Sequence, residues 1–295
     1  MSTITQKIAS GKHTLSLEFF PPRSEDGKSK LLKAAEALKE INPNFVSITY
    51  GAGGSTRKST FACAEILKNS YNYSVMPHLT CVGHSKSEIS RIIEQYHKHG
   101  YQSLMALRGD TPKGMNSFLP HPEGFNFANQ LVRFIKAKHP TFEIGVGGYP
   151  EKHPESASIS KDILNLKKKT DAGADFITTQ LFYNNAHYYT FVKACKKIGI
   201  KCPIIPGIMI PSNLEKAELF CKFCQVEMPE ELKQKLEKAT KDKKDSSPIS
   251  INWTYQQIKE LVEFGVPGVH LYIMNQSDNA LKLYRQLMSS KILIR

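Results

Sequence analysis

Eight times along this 295-residue chain a short run of strand-forming residues gives way to a segment with helical spacing, and that alternation constrains the fold most strongly. The runs predict strands over Leu15–Phe20, Phe45–Tyr50, Ser74–Cys81, Gln102–Leu107, Phe142–Gly147, Asp175–Phe182, Pro203–Met209 and Val269–Ile273. Helices are expected at Lys28–Ile41, Lys58–Ser70, Lys86–His99, Gly124–Lys138, Ser158–Ala172, Ala186–Ile198, Asn213–Cys224 and Asp278–Met288. Residues 227–251 read as a charged insertion, followed by an extra helix over Asn252–Phe264 before the eighth strand. Eight such units predict an α/β fold, a (β/α)8 TIM barrel forming one domain over residues 1–295. A doubly wound open sheet is the alternative. It would ordinarily carry a nucleotide fingerprint, and neither G-x-G-x-x-G nor G-x-x-x-x-G-K-[ST] occurs.

Alternation within the strands separates their two faces. Leu15, Leu17 and Phe19 share one face and Ser16 and Glu18 the other; Val46 and Ile48 oppose Ser47 and Thr49; Val75 and Leu79 oppose His78 and Thr80; Ile177, Thr179 and Leu181 oppose Thr178 and Gln180. With the apolar faces against helices, the barrel interior should present Glu18, Thr49, His78, Arg108, Asp110, Gln180 and Tyr272 at its C-terminal end, where barrel enzymes hold their active sites. Glu18 lies between Leu17 and Phe19, just before Pro21-Pro22 stops the strand. A carboxylate in apolar surroundings is either paired or shifted toward its neutral form, and a carboxyl that keeps a proton near neutral pH is a general acid.

The formal net charge of +13 calls for an anionic partner. The lysines are spread over many helices and no arginine-rich tract alternates with aromatics, so nucleic acid is not the expected partner. Cys221-x-x-Cys224 has metal-ligand spacing but no second pair, and its neighbours Leu219, Phe220 and Phe223 make it a packing pair; no metal site is expected. Met1–Thr14 has no apolar signal core and no run is long enough to span a bilayer, so a cytoplasmic protein without membrane association is expected.

Further polar groups gather in loops after strands. Arg108-Gly109-Asp110 offers a guanidinium for a phosphate or ring oxygen and a carboxylate for the N–H donors of a heterocycle. Tyr149-Pro150-Glu151-Lys152-His153-Pro154-Glu155 is a rigid loop with stacking and imidazole groups. Asp162, Asn165 and Lys169 share one helix face, with Lys168 beside them, and Thr179-Gln180-Leu181-Phe182-Tyr183 ends a strand in an amide and two aromatics.

Leu17-Glu18-Phe19-Phe20-Pro21-Pro22-Arg23, Ser47-Ile48-Thr49-Tyr50-Gly51-Ala52, Pro77-His78-Leu79-Thr80-Cys81, Ala106-Leu107-Arg108-Gly109-Asp110, the Tyr149–Glu155 loop and Thr179-Gln180-Leu181-Phe182 resemble, in order, the motifs of methylenetetrahydrofolate reductases. The resemblance runs from about Thr14 to Leu287. It implies the short, bacterial type with a catalytic barrel alone, without the S-adenosylmethionine-binding regulatory domain of longer relatives. It implies FAD as cofactor, NADH or NADPH as electron donor, and ping-pong reduction of 5,10-methylenetetrahydrofolate to 5-methyltetrahydrofolate, in one-carbon metabolism and methionine supply. On this resemblance Glu18 is the general acid and Asp110 stabilises the cation formed on the folate. Thr49, Tyr50, Ala52, His78, Arg108, Gly109, Asp110, Ala128, Tyr149, His153, Asp162, Asn165, Lys168 and Lys169 line the FAD site. Asp110, Gln180, Phe182, Lys216 and Gln276 meet the folate, and Thr49 and Gln180 also the nicotinamide. Lys168 stands where relatives often have Arg and Ser156 where they often have Ala. Lys216 and Gln276 replace a Gln and an Arg of some bacterial members, so Lys216 would supply the cation that Gln276 does not. Relatives are commonly oligomeric, and a homo-oligomer is expected. A proline-oxidising flavin barrel, a relative reduced by a partner protein, and a basic non-enzymatic binding module are the competing readings.

Overall fold

In the computed structural model, which describes residues 3–50, 57–111 and 119–293, eight parallel strands close into one barrel in sequence order. The strands are β1 (Thr14–Phe19), β2 (Phe45–Ile48), β3 (Val75–Thr80), β4 (Ser103–Leu107), β5 (Glu143–Gly148), β6 (Phe176–Leu181), β7 (Ile204–Met209) and β8 (Gly268–Tyr272). Closure is made by β8 pairing with β1, which sets Ser16 opposite His270 and Glu18 opposite Tyr272. On its other edge β1 sets Glu18 opposite Ser47.

The helices are α1 (Ile4–Ala9), α2 (Glu25–Ala37), α3 (Arg57–Asn69), α4 (Lys86–Lys98), α5 (Ala128–Lys138), α6 (Ile159–Asp171), α7 (Asn185–Lys197), α8 (Leu214–Cys224), α9 (Glu230–Lys241), α10 (Ser247–Phe264) and α11 (Asp278–Ser289). Many begin on a side-chain cap: Ser24, Ser85, Ser158, Asn184 and Asn213 each accept from a backbone N–H of the first turn. Their apolar faces pack on the outward side of the barrel in one continuous core that includes Leu15, Leu17, Phe19, Val46, Ile48, Leu79 and Ile177. Three helices depart from the sequence reading, and one of them, α1, lies in a segment read without any element. The charged insertion holds α9, whose Leu232 and Leu236 are buried against Leu181, Met209, Ala217 and Cys224. The helix before β8 begins at Ser247, with Pro248 at a start position that needs no N–H donor. Cys221 and Cys224 pack in this same cluster, and burial pushes their thiols up to about 11 and about 12. No helix among the described residues is long and apolar enough to cross a membrane.

Inside the barrel the bottom is apolar. Phe45, Met76, Met105, Phe176 and Ile205 form a cluster closed by Ile4 of α1. Helix α1 is fastened there by Glu143, which sits buried at the start of β5 and accepts from Ile4 N at 2.7 Å, from Thr5 N at 2.9 Å and from the Thr5 hydroxyl. The carboxylate thus satisfies first-turn donors and meets the positive end of the helix. A hydrogen bond to a charged group contributes roughly 1.5–3 kcal/mol. Glu143→Ala should therefore lower unfolding stability by about 2 kcal/mol or more, read as a reduced urea midpoint. An unchanged midpoint would mean that α1 does not close the barrel floor.

Candidate functional site

The upper barrel interior is polar, and Glu18 is at its centre, 7% exposed. Its Oε2 accepts from the Ser47 hydroxyl at 3.2 Å and lies 3.3 Å from His78 Nε2 and 3.7 Å from His270 Nε2. His78 Nε2 is near but not aligned, and among the described residues this buried nitrogen has no hydrogen-bond partner. His270 is fully buried; its Nδ1 meets the Ser16 hydroxyl at 2.7 Å and its Nε2 the Ser47 hydroxyl at 3.4 Å. Phe45 stacks beneath its ring with centroids 6.0 Å apart. Burial pushes the Glu18 carboxyl up, but the two imidazoles, His270 first and His78 second, more than offset this and hold it at about 2. Of the two outcomes expected for a carboxylate in apolar company, the structure takes pairing, so Glu18 here is ionised.

Tyr272 rises beside this group. Its ring stands edge-on to His270 with centroids 5.2 Å apart, and its hydroxyl donates to Thr179 O at 2.6 Å. Burial and then the charge of Glu18 raise its hydroxyl well above the usual phenol range. The close approach depends on Gly207, where a Cβ would fall 2.6 Å from the Tyr272 ring and closer still to Thr179 O.

The opposite side of the mouth carries Arg108 and Lys169 with carboxylates beside them. Arg108, just past β4, makes a two-point ion pair with Glu155 through Nη1 at 2.6 Å and Nη2 at 2.7 Å. Gly109 follows at φ +90°, and a Cβ there would lie 2.7 Å from Val82 Cγ1, so both conformation and space demand glycine. Past β5, Tyr149 and His153 meet edge to face at 4.6 Å, and Asp162 of α6 accepts from His153 N at 3.0 Å. Burial, then Arg108, lowers the His153 imidazole. Lys169 of α6 donates to Gly147 O at 2.5 Å, and burial lowers its ammonium to about 8 against the opposing pull of Asp162. Asn165 and Lys168 lie on the exposed part of the same helix. The two sides face one another because β4 and β5 lie across the closed barrel from β8 and β1, with Asp110 exposed at the rim.

Of the other sequence-predicted residues, Tyr50 is buried with its hydroxyl 2.9 Å from His84 Nε2, Thr49 follows β2 half-buried, and Ala128 starts α5. Ala52 lies outside the described residues. Gln180 turns its Oε1 onto Leu181 N at 2.8 Å, beside a register shift between β6 and β7. Phe182 is corrected. Its ring is fully buried and stacks on Tyr188 in the core outside the barrel, because the chain has left β6 by that point. Lys216 sits in the first turn of α8 and Gln276 in the turn after β8, both exposed. Sequence reasoning missed His270 and Ser16 as members of the site. The signal was available: His270 shares a strand face with Tyr272, as Ser16 does with Glu18.

The fold and site define a class: a parallel (β/α)8 barrel with ionisable groups gathered at the C-terminal ends of its strands. The family model of methylenetetrahydrofolate reductase matches residues 3–288, and the chain belongs to that family. Methylenetetrahydrofolate reductase (NADH) 1 of Arabidopsis thaliana is 37% identical over 287 residues, covering 94% of this chain and 48% of the plant protein. The 5,10-methylenetetrahydrofolate reductase of Escherichia coli (strain K12) is 34% identical over 268 residues, covering 91% of this chain and 88% of that protein. The chain spans about half the length of the plant relatives it matches. A solved Clostridium thermocellum protein, described as binding two copies of 5-methyl-5,6,7,8-tetrahydrofolic acid, superposes with a TM-score of 0.68 at 16% identity over 98% of this chain and 99% of its own. At that identity the likeness is one of fold.

The depressed Glu18 carboxyl has a consequence for stability. A group with a lowered folded-state pKa stabilises the fold above its unfolded value and loses that contribution as pH falls through the folded one. The contribution of Glu18 should thus fade between about pH 4.5 and about 2. Urea midpoints measured against pH should fall less steeply in Glu18→Gln than in the parent over this window. Parallel acid limbs would show that Glu18 is not held ionised.

Proposed function

We propose that the chain is the catalytic barrel of a methylenetetrahydrofolate reductase that uses FAD and a nicotinamide donor to reduce 5,10-methylenetetrahydrofolate to 5-methyltetrahydrofolate. The observation that carries this reading is a buried carboxylate–imidazole cluster with Arg108 and Lys169 across the same barrel mouth. Family membership supports the reaction class, and the donor set supports FAD. A pyrophosphate needs cations and N–H donors, which Arg108 past β4 and Lys168 and Lys169 in the last turn of α6 would supply. The carboxylate of Glu155 across both Arg108 nitrogens is the kind of two-oxygen acceptor that a phosphate would also offer. Tyr149 and His153 would supply ring contacts beside it. The chemistry FAD supplies when bound is a hydride relay from NADH or NADPH to the one-carbon unit of the folate.

The protein's own part is binding and proton delivery. Opening the folate's five-membered ring requires a proton at N10 and leaves a cationic iminium at N5, whose carbon becomes the methyl group. Glu18 is the proposed donor. Because it is ionised when facing His78 and His270, it would have to take up a proton as the folate closes the mouth and desolvation raises the carboxyl. His270 can take part through both ring nitrogens, toward Ser16 on one side and toward Ser47 and Glu18 on the other. Asp110 at the rim would stabilise the iminium, and Gln180 and Thr49 would orient the rings that alternate over the flavin. Lys216, in the first turn of α8, would offer a cation for the folate's glutamate tail, with Gln276 in the turn after β8.

Glu18→Gln keeps the shape and removes the acid. It should retain bound flavin and its reduction by the nicotinamide, while folate reduction slows by roughly 10²–10⁴-fold. Stopped-flow absorbance of the two half-reactions separates these. Unchanged folate reduction would remove Glu18 from the proton-donor role.

A further inference from the structure

Away from the barrel axis, three parts of the chain bring ligand-type atoms together. Glu151 lies in the loop after β5, His187 in the first turn of α7, and Glu227 in the link between α8 and α9. His187 Nε2 is 3.1 Å from Glu227 Oε2 and 3.7 Å from Glu151 Oε2, and one donor atom from each residue lies within 4.8 Å of the others. Metal–nitrogen and metal–oxygen bonds of about 2.0–2.2 Å in a tetrahedron place donor atoms roughly 3.3–3.6 Å apart, so little movement is needed to share one ion.

A second observation concerns Glu151 itself. Its side chain is only 9% exposed, and among the described residues its buried Oε1 has no hydrogen-bond partner, while Oε2 accepts from Glu227 N at 2.8 Å. Among the described residues, the ion pairs of these two carboxylates are both with His187. A divalent cation would meet both carboxylates and a neutral imidazole at once.

We propose that Glu151, His187 and Glu227 form a site for a divalent first-row transition cation. One nitrogen and two carboxylates suit Zn2+, with a fourth position for water. The ion would clasp the start of the charged insertion to the loop that carries Tyr149 and His153, tying α9 to the wall of the mouth. The site stands independently of the reductase reading, and no local spacing announces it, because its ligands are 36 and 40 residues apart.

The test is calorimetric titration of tag-free, EDTA-treated protein with ZnCl2, with His187→Gln and Glu227→Gln as variants. Both positions are partly exposed, and circular dichroism checks that the variants fold. A His139→Gln variant controls for the surface group Glu94, His97 and His139. The parent should bind one equivalent that His187→Gln and Glu227→Gln each weaken by more than 100-fold and His139→Gln leaves intact. Tetrahedral Co2+ absorption should vanish with the same two variants. No saturable binding, or an equivalent that survives His187→Gln, overturns the proposal.

Discussion

Everything at the mouth of this barrel depends on holding one carboxylate, Glu18, in a place that water barely reaches. Burial alone would neutralise it, and the fold answers by placing His270 and His78 beside it and a serine hydroxyl on its Oε2. Those partners come from β2, β3 and β8, three separate strands that meet only because the sheet closes. The β1–β8 register then sets Ser16 and His270 one layer below Glu18 and Tyr272. Beneath them Phe45 and the apolar floor keep the cluster dry, and a dry carboxylate–imidazole group responds strongly to whatever covers it.

The barrel was legible in the sequence because its two periods are clean. Strands such as Leu15–Phe20 alternate, helices such as Lys86–His99 carry an apolar stripe, and caps such as Ser85 and Ser158 mark where helices start. What escaped was short or nonlocal. Helix α1 is six residues long and is held by Glu143, which lies far along the chain. Helix α9 is so rich in Lys and Glu that its single apolar stripe, Leu232 and Leu236, is easy to read as a solvated run. His270 was hidden by its apolar neighbours Val269 and Leu271, although alternation alone puts it on the face that Tyr272 occupies. Phe182 failed for the opposite reason, since the strand pattern ends at Leu181 and its ring turns to the outer core.

The mouth is divided in a way that suits the proposed chemistry. Strands β1, β2, β3 and β8 would supply the proton side, and the loops after β4 and β5 with helix α6 would supply cations for an anionic cofactor. Lys169, lowered to about 8 by burial, would recover its charge beside a phosphate. The ion pair between Arg108 and Glu155 keeps the guanidinium oriented in the meantime. Tyr272, pinned over Gly207, stands between the two sides and limits the space they share. A single mouth of this kind would serve nicotinamide and folate in turn, which is what a ping-pong reaction needs.

The most direct measurement is the visible spectrum of the purified protein under anaerobic conditions. The account predicts oxidised-flavin absorbance that NADH or NADPH bleaches and that methylenetetrahydrofolate then restores, while proline does not bleach it. A colourless protein, or a flavin that methylenetetrahydrofolate fails to reoxidise, would contradict it.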